Sequence, residues 1–170
     1  MFLGLDLSLT GTGCVCLNKD GFRQHLIKSK PPKEKTPTTE LHRIMKIRDD
    51  IIIPKGTTLA TIEGIAFMAR NSTSTSQLSA LNYMVRERLI KENIPFVIVA
   101  PSSLKKFVTG KGNSSKDIVM LETFKRWKVS ITDNNICDAY VLAKIAEALI
   151  NKIDLIKPQL EVIEVLKKQL

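Results

Sequence analysis

The sequence predicts an α/β fold with a central five-stranded mixed sheet, three antiparallel strands followed by two further strands, flanked by helices. Three observations predict it. Short apolar and β-branched runs, separated by Gly and Asn/Asp turn signals, fill the first 29 residues. From there on, helical periodicity alternates with two more apolar runs, at 57–63 and 95–99. A chain of 170 residues with 44% hydrophobic content suits one compact core.

The elements follow in order. Residues 1–8, 12–18 and 22–29 read as strands. Gly11-Thr12-Gly13 and Asn18-Lys19-Asp20-Gly21 are the expected hairpin turns between them. A polar linker over 30–38, with Pro31, Pro32 and Pro37, leads to a helix from Thr39 to Ile52 with Leu41, Ile44, Ile47 and Ile51 on one face. It breaks near Pro54-Lys55-Gly56. The buried strand 57–63 delivers Glu63 at its C-terminal end, where α/β proteins commonly place chemistry. A helix from Ser76 to Glu92 carries Leu78, Leu81, Val85 and Leu89 on one stripe, and Ala80, Tyr83, Met84 and Ile90 widen its apolar surface. After strand 95–99, Pro101-Ser102-Ser103 opens a short helix bearing Lys105 and Lys106, and a Gly-Lys-Gly-Asn turn follows. Helices at 115–127 and 134–151 complete a domain over residues 1–151; residues 152–170 form a helical extension, amphipathic after Pro158.

Composition narrows the function classes. The chain holds 26 Lys and Arg against 17 Asp and Glu, a net charge of +9 that suits a polyanionic partner. The longest apolar stretch is far short of a membrane span, and the N-terminus lacks the basic leader of a signal peptide, so a cytoplasmic protein without membrane partners is expected. Cys14, Cys16 and Cys137 are odd in number and sit in apolar surroundings, as reduced packing residues do. His25 and His42 have no partner spacing and read as surface residues.

Against this basic background three acids stand out. Asp6 interrupts the apolar run of GLDLSLTGTG, Glu63 ends that of TLATIEGIAF, and Asp138 opens the helical pattern of NNICDAYVLAKIA. A carboxylate in such a setting is tolerated when a cation compensates it. Any one of them could cap a helix or pair with a lysine; two strands and a helix converging would gather all three as a hard-metal site.

The order of three antiparallel strands, a helix, then alternating strand and helix is that of an RNase H-like domain. Within it, residues 1–150 resemble RuvC-type Holliday junction resolvases: Gly4-Leu5-Asp6 with Thr10-Gly11-Thr12-Gly13, Ile62-Glu63 followed by Phe67-Met68-Ala69-Arg70-Asn71, and Asp138-Ala139 heading the last core helix. The resemblance implies a crossover junction endodeoxyribonuclease in which Asp6 bridges two Mg²⁺ ions, Glu63 holds one and Asp138 the other, with Mn²⁺ as a substitute metal. It also implies a homodimer, because paired cuts on opposing strands need two sites in fixed relation; the wide apolar surface of helix 76–92 is the candidate contact. A bacterial cell or a phage-infected host is the expected cytoplasmic setting.

The chain departs from the family pattern three residues before Asp138, where Asn135 replaces an acid or a histidine. At helical spacing Asn135 lies about 60° from Asp138 around the axis, Asn134 about 40° and Asp133 about 140°, so Asp133 is an N-cap or outer-shell acid, while Asn135, at the family position, either ligates through its amide oxygen or orients a metal-bound water. Lys105 and Lys116 match family lysines near the junction, Lys116 being placed to touch the scissile phosphate, and Lys111 adds charge in the turn between them. Phe67 is the candidate wedge between bases, with Met68 and Arg70 in the same loop. Lys28, Lys30, Lys33 and Lys35 read as a solvated linker that adds nonspecific phosphate attraction. Two alternatives stay open: a nuclease acting on RNA–DNA hybrids or flaps, and a noncatalytic branched-DNA-binding protein that kept the fold, for which Asn135 is the best argument.

Overall fold

A computed structural model of the chain describes residues 1–65 and 73–170. The sheet runs β3-β2-β1-β4-β5, formed by β1 (Phe2–Asp6), β2 (Gly11–Asn18), β3 (Gly21–Lys28), β4 (Leu59–Glu63) and β5 (Phe96–Val99). β1 and β3 are antiparallel to β2, whereas β4 lies parallel to both β1 and β5. The expected RNase H-like mixed sheet is therefore present.

Side chains alternate across the sheet, and the alternation fixes which face each one serves. Leu3, Leu5, Ala60 and Ile62 face a core completed by α1 (Pro37–Asp50) and α2 (Thr73–Lys91). Phe2, Leu59, Val97 and Val99 face the opposite core, built on α3 (Pro101–Thr109), α4 (Lys116–Trp127), α5 (Asn134–Ile150) and α6 (Lys157–Leu166). Asp6 shares parity with Phe2, and Glu63 with Leu59, so both acids emerge on the α5 face.

α5 lies against the sheet at very short range. Thr61 Oγ1 donates to Leu142 O at 2.7 Å, a buried polar group satisfied across the layer. A Cβ at Gly4 would stand 2.0 Å from Ala139 O, and one at Gly13 would stand 2.2 Å from Asn135 O. Only glycine admits the helix backbone at these points.

This contact corrects the expected first turn. Gly11, Thr12 and Gly13 are buried strand residues, and the turn lies before them, over residues 7–10. Hydroxyls build it: the amides of Thr10 and Gly11 donate to Ser8 Oγ, while Thr12 Oγ1 accepts from Ser8 N and donates to Ser8 O. α1 begins two residues earlier than its periodicity suggests, because Thr36 caps it in a reciprocal bond pair with Thr39 and Pro37 fits the first turn. Ile44, Ile47 and Ile51 are buried as expected, but Leu41 is 46% exposed. α2 likewise starts at Thr73, ahead of the expected Ser76.

α2 buries Leu81, Val85 and Leu89, while Tyr83 and Ile90 on its wider apolar surface stay exposed. Residues 157–166 form α6, with Pro158 in its first turn and Val162, Ile163 and Leu166 in the core shared with α3 and α5. Beyond it, Gln169 both accepts from Ile98 N and donates to Ile98 O at 2.9 Å, pairing with the open edge of β5 as a strand would. Cys14, Cys16 and Cys137 are free thiols, and His25 and His42 are exposed. Among the described residues no helix is long and apolar enough to cross a membrane.

Candidate active site

β1 and β4 are neighbouring parallel strands in the register Leu5 to Ile62, so their next residues, Asp6 and Glu63, end side by side at the C-terminal edge of the sheet. The first turn of α5, held close by the glycine contacts, adds Asn135 and Asp138. These four residues, with Lys105 from α3 and Lys116 from the start of α4, line one cleft of about 630 Å³. The three expected acids, the expected amide and two of the expected lysines thus meet in one place.

The acids are only partly compensated by nearby cations. Burial first, and then the nearby Glu63 carboxylate with which it shares a hydrogen bond, push Asp6 up to about 8. Burial raises Glu63 as well; its bond to Asp6 opposes the rise and Asp138 adds to it. Asp138 is raised to about 6, first by burial and then by Asp6. Lys116 counteracts the shift on all three and Lys105 on two, without cancelling it. A cluster that prefers protons over solvent exchange is one that a hard cation would relieve.

Asp133 caps α5, its carboxylate accepting from Asn135 N at 2.9 Å and Ile136 N at 3.1 Å. Its charge also raises the proton affinity of Asp6, so it acts on the acids as well as capping the helix, while Asn135 lines the cleft itself. A Cβ on Gly11 would meet Asn135 Nδ2 at 2.9 Å, so the amide lies across β2 beside the acids. Among the described residues no group of three or more His, Cys, Asp or Glu is gathered to hold a single ion. The donors are all hard oxygens, which suits Mg²⁺ or Mn²⁺ and not zinc.

Lys111 is exposed in the turn between α3 and α4, where its amide donates to Thr109 Oγ1, and it is not among the cleft-lining residues. Phe67, Met68 and Arg70 lie outside the described residues. The structure adds participants that the sequence reading passed over. Ser8 and Thr10 form one lip of the cleft, and Ser74 and Thr75 another. Asn82, buried on α2, donates to Glu63 O at 3.4 Å and steadies the end of β4. The Ser8-x-Thr10-x-Thr12 spacing after an apolar strand was the available signal for the first lip.

A mixed sheet of this order, with carboxylates from two parallel strand ends set against one from a helix, is the architecture of an RNase H-like domain. Sequence comparison specifies which one. The chain belongs to the RuvC family: the pattern described as crossover junction endodeoxyribonuclease RuvC matches residues 2–146. The fold is similar to that of Thermus thermophilus RuvC, with a TM-score of 0.63 and 19% identity over 83% of this chain and 89% of that one. It is also similar to T. thermophilus RuvC in complex with a Holliday junction substrate, with a TM-score of 0.60 and 17% identity over 83% of this chain and 88% of that one. No curated protein matches the chain in sequence.

Proposed function

We propose that the protein is a metal-dependent, structure-selective endonuclease that resolves four-way and other branched DNA by phosphodiester hydrolysis in paired nicks. The observation that carries this reading is the convergence of Asp6, Glu63 and Asp138, each with a raised proton affinity, under Lys105 and Lys116 in a RuvC-family chain. That a relative has been seen with a Holliday junction substrate supports the choice of DNA.

Two divalent ions, Mg²⁺ or Mn²⁺ in its place, would supply the Lewis-acid chemistry of water activation and leaving-group stabilisation. Asp6 would bridge them, Glu63 and Asp138 would each hold one, and Asn135 would ligate through its amide oxygen. Lys116 lines the cleft with all three acids, where its ammonium would meet the scissile phosphate and the charge that develops on it. Lys105 and Lys111 bind flanking phosphates, and the segment with Phe67, Met68 and Arg70 engages bases at the crossover.

Symmetric cuts call for a homodimer, with the exposed Tyr83 and Ile90 of α2 as its contact. The nuclease domain spans 1–151, with 152–170 as a C-terminal extension packed on α3 and α5, and the protein works in the cytoplasm of a bacterial or phage-infected cell.

The test pairs metal-linked stability with substrate competition. Mg²⁺ or Mn²⁺ raises the melting temperature of wild type and not of Asp6→Asn, and unlabelled four-way DNA displaces a labelled junction far better than duplex does. A junction-binding protein with no metal-linked stabilisation is a noncatalytic module, and equal competition by duplex or hybrid indicates a general RNase H-like nuclease.

A further inference from the structure

Three surface grooves are joined in series. Ser74 borders both the acid cleft and a second groove of about 380 Å³ that contains Lys35 and Arg43. Arg43 in turn borders a third, of about 370 Å³, that contains Lys28 and Lys30. The acid cleft, the first turn of α2 and the β3–α1 connection therefore border one another in sequence across the surface.

That connection is built, not loose. Ser29 N donates to Thr10 O at 3.1 Å, and Thr39 Oγ1 donates to Glu34 O at 2.7 Å. Arg43 donates through Nε to Ser29 Oγ at 3.0 Å and through a terminal nitrogen to Leu9 O. Pro31 and Pro32 fix the backbone between these ties. Because Leu9 and Thr10 belong to the lip of the acid cleft, the segment is also tied to the site itself.

Its charge is unspent. Lys28, Lys30, Lys33 and Lys35 are all exposed, and among the described residues none has an ion-pair partner, whereas Lys46 is paired with Asp50 and Lys106 with Glu161. Glu34 and Glu40, the acids of the same stretch, leave positive charge in excess. A loose linker attracts polyanions from any direction; an ordered row of lysines continuous with a cleft presents charge along one. Eight residues span at most about 28 Å of chain, roughly eight base pairs at 3.4 Å each.

We infer that the Lys28–Lys35 segment is a second DNA contact, a rail for the phosphate backbone of a duplex arm as it leaves the acid cleft. This rests on the junction-cleaving reading above.

The experiment measures binding by fluorescence anisotropy, in chelator and over a series of salt concentrations, to four-way junctions with arms of about 6 or about 25 base pairs. It compares wild type, the triple variant Lys30→Gln/Lys33→Gln/Lys35→Gln, and a control of equal charge change, Lys152→Gln/Lys167→Gln/Lys168→Gln. The rail variant should lose roughly tenfold or more in affinity for the long-armed junction and shed about 2.7 from the salt slope. Short-armed binding, the melting temperature and the control variant should stay near wild type. An equal loss on both arm lengths, or in the control, overturns the rail in favour of diffuse charge. Unchanged binding by the rail variant, with wild type still binding junctions, overturns the rail alone. Wild type that binds no junction overturns it together with the functional reading on which it rests.

Discussion

Asp6 and Glu63 share a side-chain hydrogen bond at the ends of two parallel strands, so in the absence of a cation the pair holds a proton near neutral pH. Asp138 adds a third, partly buried acid that resists ionisation. The site is thus costly to the metal-free fold, and that cost is measurable.

All three acids bind protons more tightly folded than unfolded. Their contribution to stability is therefore full below the ordinary carboxylate range and is lost as pH rises through about 6, for Asp138, and about 8, for Asp6. In chelator, denaturant melts should show stability falling between pH 5 and pH 9 by an amount on the order of 2 kcal/mol. Asp6→Asn should flatten that fall and be the more stable protein at pH 9. A wild-type stability that climbs over this range contradicts the electrostatics.

Asn135 lies beside the acids as a neutral donor. Asn135→Asp should lower the Mg²⁺ concentration needed for half-maximal junction cleavage by about 10-fold, the scale of a strengthened ligand shell. An unchanged metal requirement removes Asn135 from the site.

Among the described residues, Lys116 is the one cation that opposes the proton affinity of all three acids. Lys116→Gln should slow cleavage about 10²-fold while changing junction affinity little, read as single-turnover rate against anisotropy. A loss confined to affinity would make it a phosphate anchor only.

Gly13 carries the backbone of α5 so closely that a Cβ would sit 2.2 Å from Asn135 O. Gly13→Ala should cost about 1–3 kcal/mol and displace Asn135 and Asp138 together, so both the melting temperature and the metal-linked stabilisation fall. Retention of full metal-linked stabilisation would show that α5 tolerates a shift.

Much of this was legible in the sequence because burial makes a lone acid conspicuous. Asp6, Glu63 and Asp138 each break an apolar run, and strand parity puts the first two on one face. The glycines were harder: Gly-Thr-Gly after a short strand reads as a turn, and nothing local reveals that Gly13 makes room for a helix more than 120 residues further along. Leu41 fits the helical stripe of α1 yet stays exposed, because periodicity gives a helix its face and not the extent of the layer beneath it. The cap by Asp133 is local and its residue type announced it; the hydroxyl turn at Ser8 is equally local, but the Gly-Thr-Gly run after it drew the turn to the wrong place.

The most direct measurement of the central claim labels each strand of an immobile four-way junction in turn and maps the cuts made in Mg²⁺, Mn²⁺ or chelator by wild type and Asp6→Asn. The account predicts paired, symmetric nicks on opposing strands in either metal, none in chelator and at least a 10³-fold loss in Asp6→Asn. A junction bound tightly but left intact in both metals would contradict it.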